Sequence, residues 1–154
     1  MPHPFESFTP TTTARGPIYN APEDLLEIEV TNPITHGQPP QYTDYEITTR
    51  TNIPAFIGKG NNNNGNNNGN TPYTLKTRKR YSEFVKLRQQ LSDRHPQISL
   101  PTLPPPSTMF NYSKRFNSDF IDDRRMGLEI FLTAVASHPL LQKENDVLIS
   151  FLKH

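Results

Sequence analysis

The stretch from residue 73 to residue 91 changes its apolar period from two residues to the spacing of a helix, and this change constrains the fold most. Tyr73, Leu75 and Thr77 alternate with polar or charged residues, which is typical of a strand with one buried face. Further on, the apolar residues at helical spacing are Phe84, Leu87 and Leu91. Ser82 lies at the change of period and is the predicted N-cap. We therefore predict a strand that leads directly into an amphipathic helix.

Three consecutive cationic residues, Arg78, Lys79 and Arg80, lie at the end of this strand and precede Tyr81. Arginine presents a planar fork of donors that matches phosphate, and tyrosine offers an apolar face on which a ring can stack. The three cationic side chains are therefore expected to converge on the junction, which predicts a site for a phosphorylated, ring-shaped ligand. A charged strand face exposed to solvent would account for the same residues.

The charges of the chain are unevenly distributed, although the formal net charge is only +1. Residues 1 to 58 contain two basic and seven acidic residues, whereas residues 71 to 94 contain seven basic and two acidic residues. A basic region this local favours a compact anion or an anionic surface over a long nucleic acid.

Cysteine is absent, which excludes disulfides and thiolate metal sites and favours the cytoplasm. The amino terminus shows no basic flank followed by an apolar run. No apolar stretch approaches the roughly 20 residues needed to cross a bilayer. We therefore expect any association with a membrane to be peripheral.

Two further strands are predicted before the basic one. The first covers residues 26 to 30 and is expected to end at Asn32-Pro33, and the second runs from Tyr42 to Thr51. Residues 58 to 71 form an Asn/Gly-rich tract that cannot build a core, so we interpret it as an enlarged hairpin loop. Three strands joined without crossover helices predict an antiparallel meander.

The remaining chain is predicted to be helical, except for a proline-rich loop at Leu100 to Pro106. This loop lies between a first helix, Ser82 to Arg94, and a second helix that begins near Ser118 or Asp119. A short last helix completes an α+β fold, in which a three-stranded antiparallel meander packs against three to four helices. Residues 1 to 21 are predicted to be a flexible arm, and residues 22 to 154 a single domain.

Motifs for catalysis or metal binding are not found in the sequence. None of the five histidines has the spacing of a HExxH site, and no P-loop, GxSxG or dinucleotide-binding glycine pattern occurs. We therefore expect no enzyme activity, metal or cofactor. The class that remains open beside an anion-binding module is a single-stranded nucleic-acid binder, which would use the basic strand and its aromatic residues as a stacking platform.

The chain resembles the phox-homology (PX) domain family, and in particular its short sorting nexins. The segments that carry the resemblance are Arg78-Lys79-Arg80-Tyr81-Ser82-Glu83-Phe84, the proline-rich loop, Asp123-Arg124-Arg125, Leu25 to Pro33, Thr51 to Phe56, and Gly127 to Leu140. The resemblance covers roughly residues 22 to 153 and implies a PX-like fold.

The resemblance also implies a ligand, phosphatidylinositol 3-phosphate, and a role for each matching residue. Arg80 would hold the 3-phosphate, Tyr81 would stack on the inositol ring, Ser82 would assist at the helix start, and Arg124 would bind the ring hydroxyls. The family's proline loop usually contains a lysine for the 1-phosphate, whereas this chain has Pro105 and Pro106 there.

The chain therefore needs another cation for the second phosphate. Lys114 is the first candidate and Arg115 the second, although both would serve equally as contacts to anionic lipid. Met109, Phe110 and Tyr112 precede them and are the residues expected to enter the membrane interface.

The short sorting nexins act with the retromer coat in endosomal cargo retrieval. The resemblance thus implies a cytoplasmic, non-enzymatic adaptor, peripherally associated with endosomal membranes, that sorts transmembrane cargo towards the Golgi. Its expected partners are phosphatidylinositol 3-phosphate, retromer and cargo, and no nucleic acid.

Overall fold

The computed structural model describes residues 24–57, 72–142 and 146–154. The predicted amino-terminal arm, residues 1–21, and the predicted insertion, residues 58–71, lie outside these ranges. In chain order, the elements are β1 (Leu26–His36), β2 (Tyr42–Thr51), α1 (Pro54–Ile57), β3 (Tyr73–Arg80), α2 (Tyr81–Arg94), a 3-10 turn (Tyr112–Lys114), α3 (Ser118–Ala136), α4 (Pro139–Gln142) and α5 (Asp146–Lys153).

The three strands form one antiparallel sheet in the order β1-β2-β3, as the sequence predicts. Tyr42 lies opposite His36 at one end of the β1–β2 hairpin, and Asp44 lies opposite Arg80 on β3. These two registers bring the end of β1, the start of β2 and the end of β3 together at one corner of the sheet. The predicted bounds of β2 are confirmed.

The expectation that Asn32-Pro33 ends the first strand is wrong. β1 continues to His36, and its register against β2 shifts between Thr31 and Ile34. Asn32 has a φ of 48°, a left-handed conformation that asparagine tolerates better than most residues. The irregularity leaves Pro33, which has no N–H, outside the ladder, so the strand can continue beyond it.

The core lies between one face of the sheet and the helices. It contains Val30, Tyr45 and Ile47 from the sheet, Phe84, Leu87 and Leu91 from α2, Leu128, Phe131, Leu132 and Val135 from α3, and Leu148 and Leu152 from α5. Burying a large apolar side chain contributes about 1.5–3 kcal/mol, so this cluster is the main stabilising contribution. The sequence shows helical spacing of apolar residues for the three long helices, α2, α3 and α5.

Helix α2 begins one residue before the predicted N-cap. Arg80, the last residue of β3, has extended backbone angles and is the N-cap, while Ser82 lies inside the first turn. The Glu83 carboxylate accepts a hydrogen bond from the Arg80 backbone N–H at 2.8 Å. This bond is the half of a capping box in which the side chain at the third helical position accepts from the N-cap N–H.

The proline-rich segment is bonded to the helices on both sides of it. Arg88 of α2 donates to the Pro101 carbonyl at 2.9 Å, and Gly127 of α3 lies so close that a Cβ there would overlap Pro104. These contacts fix the segment along the edge of the site described below. Among the described helices, none combines the length and the apolar character needed to cross a membrane.

Candidate functional site

The three cations at the end of β3 do not converge on one place, contrary to the prediction. Arg78 is engaged by Asp44, with its Nη2 2.6 Å from Oδ1. Lys79 lies on the opposite, buried face, where its Nζ is 5.1 Å from the centre of the Phe151 ring. Successive residues of a strand point to opposite faces, so a run of three cations cannot share one ligand. Arg80 alone faces the site.

A cavity of about 230 Å³ lies where the strand corner, the start of α2 and the start of α3 meet. Its lining residues are Gln41, Tyr42, Thr43, Tyr45, Arg80, Tyr81, Ser82, Ser107, Tyr112, Arg115, Phe116 and Arg124. The lining comes from the start of β2 and the residue before it, the β3–α2 junction, the chain between the proline-rich segment and α3, and α3 itself.

Three arginines line this cavity, and each lies over a tyrosine that also lines it. The guanidinium carbon is 4.1 Å from the ring centre for Arg80 over Tyr42, 4.0 Å for Arg124 over Tyr81, and 3.4 Å for Arg115 over Tyr112. A guanidinium group is attracted to the negative face of an aromatic ring and can still donate hydrogen bonds from its edge. The tyrosines therefore hold the arginines in place without neutralising them.

The cavity is strongly electropositive, because its lining contains three arginines and no carboxylate. Burial lowers the pKa of Arg124, but arginine stays protonated in proteins under ordinary conditions. Such a site attracts an anion with several acceptor oxygens, of which phosphate is the best match. In the described ranges, no group of three His, Asp or Glu side chains is placed to hold a metal ion.

Two tyrosines of the lining are tied to the backbone through their hydroxyls. Tyr81 donates to the Pro104 carbonyl at 2.5 Å, and Tyr45 donates to the Ile121 carbonyl at 3.4 Å. Burial raises the pKa of Tyr81, and it raises the pKa of Tyr45 to about 12. Both hydroxyls are therefore neutral donors near neutral pH and do not add negative charge to the cavity.

The structure brings together most of the residues that the sequence singles out. Arg80, Tyr81, Ser82, Arg115 and Arg124 all line the cavity. One face of the Tyr81 ring is covered by Arg124, so a stacked ligand has only the other face.

The structure places the two alternative cations differently. Lys114 is exposed outside the cavity, whereas Arg115 lines it and also donates to the Tyr112 carbonyl at 3.0 Å. Met109 and Phe110 are each 96% exposed, as expected of residues with no core to enter. Tyr112, grouped with them as a membrane residue, is exposed too but also lines the cavity beneath Arg115.

Tyr42 and His36 are part of this corner, and sequence reasoning did not find them. Their rings stack with centres 4.8 Å apart, and Tyr42 supports Arg80 on its other side. The two residues flank the hairpin loop, and only the register of the hairpin places them opposite each other. The one usable signal was an aromatic residue on each side of a Gly/Pro-containing turn.

Comparisons with known proteins agree with the fold. The family model described as PX domain matches residues 67–154. The chain is similar to sorting nexin-3 of Candida albicans, at 42% identity over 89% of this chain and 78% of that protein, and to sorting nexin-3 of Schizosaccharomyces pombe, at 41% identity over 88% of this chain and 83% of that protein. Among solved structures, a designed CISK-PX domain superimposes with a TM-score of 0.58, at 22% identity over 83% of this chain and 99% of that one.

Proposed function

The chain belongs to the PX-domain family as one of its short sorting nexins, and from that premise we propose that it is a non-catalytic adaptor that binds phosphatidylinositol 3-phosphate on endosomal membranes and helps to return cargo to the Golgi. Phosphoinositide binding and endosomal sorting follow from the family.

The observation that carries the proposal is the state of Arg80. Its guanidinium forms no ion pair with a carboxylate of the described residues, and it is held over Tyr42 at the edge of the cavity. Arg80 is also the N-cap of α2, where the backbone N–H groups of the first turn favour an anion. A phosphate placed here receives both the arginine fork and the positive end of the helix.

The other cavity residues take complementary roles in this proposal. Arg124 binds the inositol hydroxyls, the Tyr81 face that Arg124 does not cover packs against the inositol ring, and Ser82 donates to the phosphate from the first turn of α2. Arg115 takes the second phosphate, which carries the lipid tails, because it lines the cavity from the segment that follows the exposed Met109 and Phe110. A charge-assisted hydrogen bond typically contributes about 1.5–3 kcal/mol, so three arginines suffice for a specific, moderate affinity.

Membrane attachment in this proposal combines the head group with the loop that precedes the 3-10 turn. Met109 and Phe110 project into solvent and would bury apolar surface at the lipid interface. Recruitment is completed by a coat such as retromer and by transmembrane cargo, since two weak contacts on one surface reinforce each other. The protein would then act in the cytoplasm at the endosomal surface.

Vesicle flotation tests the proposal. Vesicles that contain phosphatidylinositol 3-phosphate should bind the protein, whereas vesicles with the same charge supplied by phosphatidylserine should not. A single-stranded oligonucleotide tests the nucleic-acid alternative and should not bind. Arg80→Ala should lower binding at least tenfold, and Arg80→Lys should restore little of it because lysine lacks the planar fork. Arg94→Ala, which removes an exposed cation from the last turn of α2, is the matched control and should bind normally. Unchanged binding by a folded Arg80→Ala protein would exclude this site.

A further inference from the structure

Asp44 is the carboxylate that should neutralise Arg80, yet it does not. The two residues are direct partners in the β2–β3 register, and directly opposed residues have Cβ atoms about 4.5–5.5 Å apart. Oppositely charged residues in such a position normally pair. Arg80 has no ion pair with any carboxylate of the described residues, and its guanidinium turns to the Tyr42 ring instead.

The Asp44 carboxylate is occupied by two other side chains. Arg78, two residues before Arg80 on the same face of β3, donates to Oδ1 from Nε at 2.8 Å and from Nη2 at 2.6 Å. His36 of β1 lies 2.9 Å from Oδ2 through its Nε2. Although burial raises the pKa of Asp44, the hydrogen bonds from Arg78 and His36 outweigh it and hold that pKa below its usual value. Both oxygens are therefore engaged by residues other than Arg80.

The same two residues hold Asp44 in a fixed place. Arg78 Nη2 also donates to the Asn32 carbonyl at 2.7 Å and to the Asp44 carbonyl at 3.2 Å, which ties the Arg78 side chain to β2 and, beyond it, to β1. His36 is fixed by its stack on Tyr42, and the other face of Tyr42 carries Arg80. Within this cluster, Arg78 is paired with Asp44. Arg80, two positions further along β3, has no carboxylate partner among the described residues and lies over Tyr42.

We propose that Arg78 and His36 are positioning residues that retain the Asp44 carboxylate and so keep the Arg80 guanidinium free for a phosphate. The inference rests on the proposed function, because it concerns the same phosphate site. Arg78 acts in it without touching the ligand, although it belongs to the same basic run as Arg80. When Arg78 is lost, Asp44 turns to its cross-strand partner and competes with the phosphate for Arg80.

Second-site rescue tests this inference with phosphatidylinositol 3-phosphate vesicles. Arg78→Leu should weaken binding about tenfold, which corresponds to roughly 1.4 kcal/mol. Adding Asp44→Asn should restore binding to within about threefold of the original protein, because the competing charge is gone. The control is Glu46→Gln in the Arg78→Leu background, which removes the same charge from a neighbouring position of that strand face and should restore nothing. His36→Leu should weaken binding less and should also be rescued by Asp44→Asn.

The Arg80 Nε–H resonance in NMR gives a second measurement that does not need lipid. It should shift in Arg78→Leu and return towards its original position in Arg78→Leu/Asp44→Asn. Because this measurement does not depend on vesicle binding, it can also be made on a folded variant whose stability is reduced. If the original protein does not bind the vesicles, the proposed function is wrong. The Arg80 resonance alone then shows whether Asp44 turns to Arg80 when Arg78 is lost. If the original protein binds the vesicles, two results would overturn the inference. Either Asp44→Asn restores neither the binding nor the resonance of Arg78→Leu, or Glu46→Gln restores them equally well. In both cases Arg78 does not act through Asp44.

Discussion

Tyr81 donates a hydrogen bond from its hydroxyl to the backbone carbonyl of Pro104 at 2.5 Å. The bond joins the first residue of α2 to the proline-rich segment, 23 positions further along the chain. The ring is thereby fixed between that segment and Arg124, which also donates to the Pro105 carbonyl at 3.1 Å. The proline-rich segment therefore holds two lining residues, Tyr81 and Arg124, although none of its own residues lines the cavity.

Removing the Tyr81 hydroxyl should affect stability more than ligand binding. Tyr81→Phe deletes the donor to Pro104 and should lower the free energy of unfolding by about 1 kcal/mol, measured by urea denaturation. The ring beneath Arg124 remains, so vesicle binding should change less than about threefold. Tyr81→Leu removes the ring as well and should lower binding at least tenfold. Equal loss of binding in Phe and Leu would mean that the hydroxyl, not the ring, serves the ligand.

Gly127→Ala should destabilise the protein, which is the opposite of the usual effect. Alanine is favoured over glycine in a helix by about 1 kcal/mol, but a Cβ at this position of α3 would overlap the Pro104 ring. The overlap should cost about 1–3 kcal/mol and displace the proline-rich segment, which accepts hydrogen bonds from the lining residues Tyr81 and Arg124. Urea denaturation and vesicle binding should both show the loss. Met126→Ala, at the neighbouring exposed position, should change stability by less than about 0.5 kcal/mol.

The elements that the sequence predicts well are those whose burial has a regular period. β2 and the three long helices follow from the spacing of residues such as Tyr45, Ile47, Phe84 and Leu128, because each element buries one face in a common core. The end of β1 was predicted wrongly because Asn32-Pro33 is a turn signal in isolation. Only pairing with β2 lets the strand continue through a bulge.

The site was predicted less completely, because it depends on contacts between distant segments. Arg80 could be found from its place at a strand–helix junction. The pairing of Arg78 could not be predicted, since it depends on the Asp44 carboxylate, 34 positions away in the sequence. Tyr42 enters the site only through the hairpin register, and the presence of Arg115 rather than Lys114 in the lining depends on a single 3-10 turn. Short-range patterns carry no information on these relationships.

The exposed loop should contribute to membrane attachment without contributing to recognition of the head group. Met109→Ser/Phe110→Ser should lower binding to phosphatidylinositol 3-phosphate vesicles at least tenfold, because it removes the apolar surface that enters the interface. Its affinity for a soluble short-chain form of the lipid should be unchanged in calorimetry. Ile130→Ser is the control, since this α3 side chain is 70% exposed but lies outside the cavity lining. A comparable loss with Ile130→Ser would indicate a general effect of surface hydrophobicity.

Arg115 and Lys114 should separate cleanly in the same pair of assays. Arg115 lies over Tyr112 inside the cavity, so Arg115→Ala should lower affinity for the soluble lipid about tenfold, the effect of one lost charge-assisted contact. Lys114→Ala should leave that affinity unchanged and weaken vesicle binding about fivefold, since a lysine near an anionic surface contributes about 1 kcal/mol.

Tyr112 links these two results, because it holds Arg115 in place. Tyr112→Leu keeps every charge but removes the ring beneath the guanidinium, so it should reduce soluble-lipid affinity in part, between the original protein and Arg115→Ala. Tyr112→Phe keeps the ring and should bind as the original protein does. If Arg115→Ala instead behaves like Lys114→Ala, with the soluble affinity intact, then Arg115 is a surface anchor. The second phosphate would then be held without a cation from this turn, and the proline-rich segment that replaces the family's lysine would mark a site that recognises one phosphate only.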